Sequence, residues 1–141
     1  MERVYRQFII KGRSLKKNHI YNGDCLDILN SKIIDSSIDM IYADPPYNLS
    51  GKNLSLKGNK TGGDFNKINE KWDTFTYDEY LKFSKEWLNI IYKKMKSGAS
   101  IYISCTFHNI GEIIYLAKKE NLEIRNIITW YKINAMPTIT K

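Results

Sequence analysis

An aspartate, two prolines and a tyrosine stand together at Asp44-Pro45-Pro46-Tyr47, directly after the apolar run Ile38-Asp39-Met40-Ile41-Tyr42-Ala43. A carboxylate beside an aromatic ring offers a hydrogen-bond acceptor next to a stacking face. That pairing suits chemistry on a planar amine such as a nucleobase, whose lone pair is delocalised into its ring. Proline lacks an N–H, so the carbonyls of this turn stay free to face a ligand, and the turn itself is rigid. Two prolines can neither donate to a ladder nor easily enter a following helix, so the strand must stop at Ala43. The apolar run reads as a buried, parallel-type strand. Ligands of open α/β sheets bind at the carboxyl ends of such strands, which is where Asp44 lies.

The elements that would hold this turn follow from periodicity and punctuation. A strand is expected near Ile20-Tyr21, leading to Gly23-Asp24, where Asp24 can cap a short helix carrying Leu26 and Leu29. Leu49 to Asp73 is rich in Gly, Lys, Asn and Ser with almost no apolar periodicity, and reads as a functional lid or a disordered loop. Thr76-Tyr77-Asp78-Glu79 is a capping box. The helix it opens carries Tyr80, Leu81, Trp87, Leu88, Ile91, Tyr92 and Met95 at helical spacing, with Gly98 expected to end it. Trp87 belongs to its core face. Ala99 to Ser104 is the next buried strand, His108 to Asn121 a second amphipathic helix through Ile110, Ile113, Ile114 and Ala117, and Ile124 to Tyr131 a further strand. Strand, helix, strand, helix, strand is an α/β pattern with right-handed crossovers. No internal repeat is visible.

The 141 residues bound the chain to one domain with a sizeable core, which a hydrophobic fraction of 43% and an aromatic fraction of 13% support. A net charge of +7 suits a polyanionic partner, although the predominance of Lys over Arg also fits a generally basic, AT-rich coding background. The two cysteines, Cys25 and Cys105, form neither a disulfide framework nor a CxxC site, and two isolated histidines, His19 and His108, make no metal cluster. No apolar run is long enough to cross a bilayer and no signal peptide stands out, so the cytoplasm is expected. Residues 1–17, with Arg3, Arg6, Lys11, Arg13, Lys16 and Lys17, read as a basic N-terminal arm, and residues 18–141 as the domain proper.

Asp44-Pro45-Pro46-Tyr47-Asn48-Leu49 resembles the catalytic motif of the S-adenosylmethionine-dependent amino-methyltransferases that act on DNA bases. Its surroundings sharpen the likeness: Tyr21-Asn22-Gly23-Asp24-Cys25 upstream, then Lys71-Trp72-Asp73, Tyr77-Asp78-Glu79-Tyr80, Lys96-Ser97-Gly98-Ala99-Ser100-Ile101 and Ile127-Ile128-Thr129-Trp130-Tyr131-Lys132 downstream. The succession is similar to the adenine-N6 methyltransferases of restriction–modification systems, in the permuted (beta-type) group where the catalytic motif precedes the cofactor glycine loop. It covers roughly residues 18 to 135.

The resemblance implies a Rossmann-like methyltransferase sheet with flanking helices. Asp44 and the Pro45 carbonyl would bind the target amine, Pro46 would stiffen the turn, and Tyr47 would stack on the extruded base. Asp24, with Cys25 alongside and Asp44 nearby, would reach S-adenosylmethionine. The target atom lies inside a duplex, so double-stranded DNA and base flipping are implied. Tyr47, Asn48, Lys52, Lys57 and Lys132 are the candidate DNA-binding residues, with Asn48 and Ser50 orienting the loop and Asn134 beside Lys132. No metal is required. The glycine-rich cofactor loop and the target-recognition region of that group, both carboxyl-terminal to the motif, have no counterpart here, so the chain is expected to be the N-terminal half of such an enzyme, incomplete in its sheet. A homodimer or a C-terminal partner chain, together with a cognate restriction endonuclease, are the expected protein partners.

Each residue also has a plainer use. Asp44 could be a turn aspartate, Tyr47 ordinary packing, Asp24 only a helix cap, and Lys132 a solvated surface charge. At the level of function, cytosine-N4 methylation shares the amine problem, with Asp at position 44 favouring adenine. A catalytically silent DNA-binding or interaction fragment is the reading from another class.

Overall fold

The computed structural model describes residues 16, 18–49, 55–56, 65–66, 71–131 and 133. The basic arm apart from Lys16, most of the 49–73 loop with Ser50, Lys52 and Lys57, and the segment holding Lys132 and Asn134 lie outside them. Helix α1 (Cys25–Lys32) leads to strand β1 (Ile38–Ala43). Two short strands, β2 (Ser55–Leu56) and β3 (Phe65–Asn66), pair antiparallel within the long loop, which therefore has more structure than its composition predicts. A 3-10 turn at Lys71–Asp73 precedes helix α2 (Tyr77–Lys94), strand β4 (Met95–Ile103) and helix α3 (Ile110–Lys119).

Strands β1 and β4 pair in parallel, with Met40 opposite Ser100 and Ala43 opposite Ile103. Parallel pairing brings both carboxyl ends to one edge, so the turn after Ala43 and the turn after Ile103 meet there. The last bond across the pair runs from the Ser104 N–H to the Ala43 carbonyl at 2.8 Å. Helix α2 begins where expected because its signal is local. The Thr76 hydroxyl accepts from the Glu79 N–H, and the Glu79 carboxylate accepts from the Thr76 N–H at 2.8 Å. The core is the α2 stripe Trp87, Leu88 and Ile91 packed on Ile113, Leu116 and Ala117 of α3, with Leu26, Leu29, Ile41, Ala43, Ile101 and Ile103 against it.

Four expectations differ. Helix α2 stops at Lys94 rather than at Gly98, because the Ser36 and Ser37 N–H groups take the Lys93 and Lys94 carbonyls, both at 2.9 Å. Lys94 is itself held by Asp35 at 2.6 Å. Gly98, with φ +79°, instead lies within β4, beside the irregularity of register between Ile38 and Met40. Among the described residues, strand β1 is covered on one face only: Ile41 and Ala43 turn to the core while Met40 and Tyr42 are exposed. Residues 20–21 and 124–131 are not strands, since among the described residues neither finds a ladder partner. Ile124 touches the core, but Ile127, Ile128, Trp130 and Tyr131 face outward.

Candidate active site at the carboxyl edge of the parallel pair

The Asp44–Tyr47 turn sits where β1 leaves the sheet, with Asp44 exposed and Pro45, Pro46 and Tyr47 half-buried. The Tyr47 phenol donates to the Asp44 carboxylate, bringing together the two groups the sequence singled out. Burial, and then that hydrogen bond, push the Tyr47 phenol up to about 12, against a smaller opposing effect from Ser104. The phenol is therefore a permanent donor at ordinary pH. Tyr42 and Ser104 close the edge beside it through a 2.6 Å bond between their hydroxyls.

Three residues from other elements fasten the far end of the turn. Asp73, buried in the 3-10 turn, accepts from the Asn48 N–H at 2.7 Å and from the Leu49 N–H at 3.1 Å. The Asn48 side-chain oxygen accepts from the Phe75 N–H at 2.8 Å, so this side chain serves the loop. The Asn109 amide, at the start of α3, donates to the Tyr47 carbonyl. Beneath Asn109 lies the buried Tyr80 phenol, which burial drives upward in pKa.

Sequence reasoning named neither Asn109 nor Ser104 for the site, and read Asp73 only as part of a motif. A signal for Ser104 exists in the parallel register, since the residue after Ile103 must lie beside the residue after Ala43. Asn109 carries no comparable signal, because it lies beyond the end of β4 with no strand register to align it with Tyr47.

The second predicted cluster is Asp24 and Cys25. Asp24 is the N-cap of α1, its Oδ1 accepting from the Leu26 and Asp27 N–H groups at 2.8 and 3.3 Å. A carboxylate has about four lone-pair sites, so the two capping bonds leave capacity for about two more donors. An adenine amine of a nucleoside cofactor fits that capacity. Burial, and then the charge of Asp24, raise the Cys25 thiol, which makes it a neutral neighbour rather than a nucleophile. Among the described residues no group of His, Cys, Asp and Glu could hold a metal ion, and no helix is long and apolar enough to cross a membrane.

Residues 38–141 match the N6/N4 family model described as a DNA methylase. The chain is 39% identical over 127 residues to the type II methyltransferase M2.MboI of Moraxella bovis, covering 89% of this chain and 45% of that protein. It is 36% identical over 121 residues to M.HinfI of Haemophilus influenzae, covering 85% and 33% respectively. Against M2.DpnII of Streptococcus pneumoniae it is 32% identical over 114 residues, covering 78% and 40%. The chain thus spans between a third and just under half of the length of these relatives.

Proposed function

The chain belongs to the N6/N4 DNA methylase family, and we propose that it forms the amine-binding part of a site-specific DNA methyltransferase that modifies adenine N6. The observation that carries this reading is the turn itself. A carboxylate and an aromatic ring are held in contact at the carboxyl edge of a parallel strand pair. Asp44 and the Pro45 carbonyl accept from the two N–H groups of the target amine and draw its nitrogen towards tetrahedral geometry. Tyr47 leaves Asp44 when the base arrives and stacks on the extruded ring. S-adenosylmethionine, when bound, supplies an electrophilic methyl group on a sulfonium. Asp24 would hold its adenine amine, with Cys25 alongside. Methyl transfer would be an in-line displacement, the N6–carbon bond forming as the sulfur–carbon bond breaks and the N6 proton passing to solvent, so positioning and electrostatics would dominate its rate.

The parallel pair β1·β4, with α2 in the connection, is read as one unit of a Rossmann-like sheet, residues 18–141 contributing part of the catalytic domain and residues 1–17 a basic arm. The net charge of +7 supports a duplex partner, with Lys52, Lys57 and Lys132 meeting DNA. Completion of the sheet by a carboxyl-terminal portion, a homodimer and a cognate endonuclease belong to the same proposal.

The test is transfer of a labelled methyl group to DNA, followed by digestion to nucleosides. N6-methyladenine is the expected product. N4-methylcytosine would turn the reading to the other branch of the family. Asp44→Ala should lower transfer by at least about a hundredfold, since a group acting on developing charge is worth that much; undiminished transfer would remove Asp44 from its role. Isothermal titration with S-adenosylmethionine, for the chain alone and with a carboxyl-terminal fragment of a relative, separates a split enzyme from a silent interaction fragment.

A further inference from the structure

We propose that Asp73 and Asn109 are positioning residues that clamp one peptide group, Tyr47–Asn48, and through it orient the turn that grips the amine. The inference deepens the function proposed above and rests on it for the meaning of the turn. Its physical content is separate. The ladder ends at Ala43, and neither Pro45 nor Pro46 has an N–H with which to anchor itself. Beyond the two prolines, the peptide joining Tyr47 to Asn48 has both a carbonyl and an N–H by which it can be held.

It is held at both ends. Its carbonyl accepts from the Asn109 side chain and its N–H donates to Asp73 Oδ1 at 2.7 Å. A peptide group is planar, so fixing its two polar atoms fixes its plane, and with it ψ of Tyr47 and φ of Asn48. That φ is +53°, a left-handed conformation that asparagine tolerates but that surrounding structure must enforce. The second oxygen of Asp73 takes the Leu49 N–H, and Asn48 returns a bond to Phe75, closing the arrangement on the side of α2.

Both clamping residues forgo something local. Asn109 occupies the N-cap position of α3, where an asparagine ordinarily accepts from the helix's own N–H groups, yet it makes no such bond and reaches to Tyr47 instead. Asp73 is a carboxylate only 8% exposed, a placement that is costly unless hydrogen bonds satisfy it. Their geometry is explained by the turn they hold.

Two variants separate positioning from folding. Asn109→Asp keeps a residue that caps helices equally well but sets an oxygen against the Tyr47 carbonyl. Asp73→Asn keeps the shape but replaces one acceptor with an N–H donor. Amide hydrogen exchange by NMR should show Asn48 and Leu49 exchanging about tenfold faster or more in each variant, the effect of one lost hydrogen bond, while Leu88 and Ile91 keep their protection. Unchanged rates at Asn48 and Leu49, or equal loss at Leu88, would overturn the clamp; if Asp73→Asn does not fold, Asn109→Asp decides. In the methyl-transfer assay, Asn109→Asp should lower kcat with the KM for DNA unchanged and the protection of Leu88 and Ile91 intact, and an unchanged kcat alongside faster exchange would overturn the positioning role. If the unaltered chain transfers no methyl group, the function proposed for this chain alone fails, while exchange still decides the clamp.

Discussion

Tyr47 is a side chain whose ionisation reports on the resting turn. Its phenol is pushed from about 10 to about 12 by burial and by the bond to Asp44. A folded-state pKa above the unfolded value means the protonated form is favoured in the native chain. The resulting stability is full below pH 10 and disappears as pH rises towards 12. Denaturation midpoints at pH 9 and pH 11 should therefore converge between the unaltered chain and Tyr47→Phe, which lacks the titrating group; a constant gap between them would mean the phenol is not held. Asp44 and Tyr47 were legible in the sequence because they are neighbours in it and their chemistry needs no fold to be recognised. Asp73 and Asn109 were not, because the bonds that define them join Asn48 to a residue 25 positions on and Tyr47 to a residue 62 positions on.

Among the elements, local signals held and tertiary ones did not. The capping box placed the start of α2 from four residues, and Asp24 likewise opened α1. The end of α2 was misplaced because carbonyls at 93 and 94 are captured by Ser36 and Ser37, a contact no window of sequence contains. The two glycines make this distinction measurable. Gly98 has φ +79° and open space where a Cβ would stand, so Gly98→Ala should cost about 1–2 kcal/mol through backbone strain alone. Gly111, in α3, is equally uncrowded but has no positive φ, so Gly111→Ala should stabilise by about 0.5–1 kcal/mol. Urea titration of both variants reads the signs directly, and equal signs would contradict the assignment of Gly98 to a bend in β4.

For the molecule as a whole, one contact region carries the fold. Leu88 is fully buried where α2 meets α3 and the sheet, and Leu88→Ala should cost about 2–5 kcal/mol, a large share of the 5–15 kcal/mol typical of a domain. Thermal unfolding should show it as a much lowered Tm. The sequence suggested a sheet covered on both faces, since an apolar run cannot tell one covered face from two. Among the described residues, one is covered. On the other, Met40, Tyr42 and Tyr102 are 62%, 66% and 49% exposed. A folded chain with one oily side behaves as a weak surfactant. It should light up the emission of anilinonaphthalene sulfonate in plain buffer, before any denaturant is added, and sulfate salts should lower its solubility steeply despite a charge of +7. Met40→Lys with Tyr102→Lys should quench that emission and restore solubility while leaving the Tm little changed, because the groups altered are wetted already.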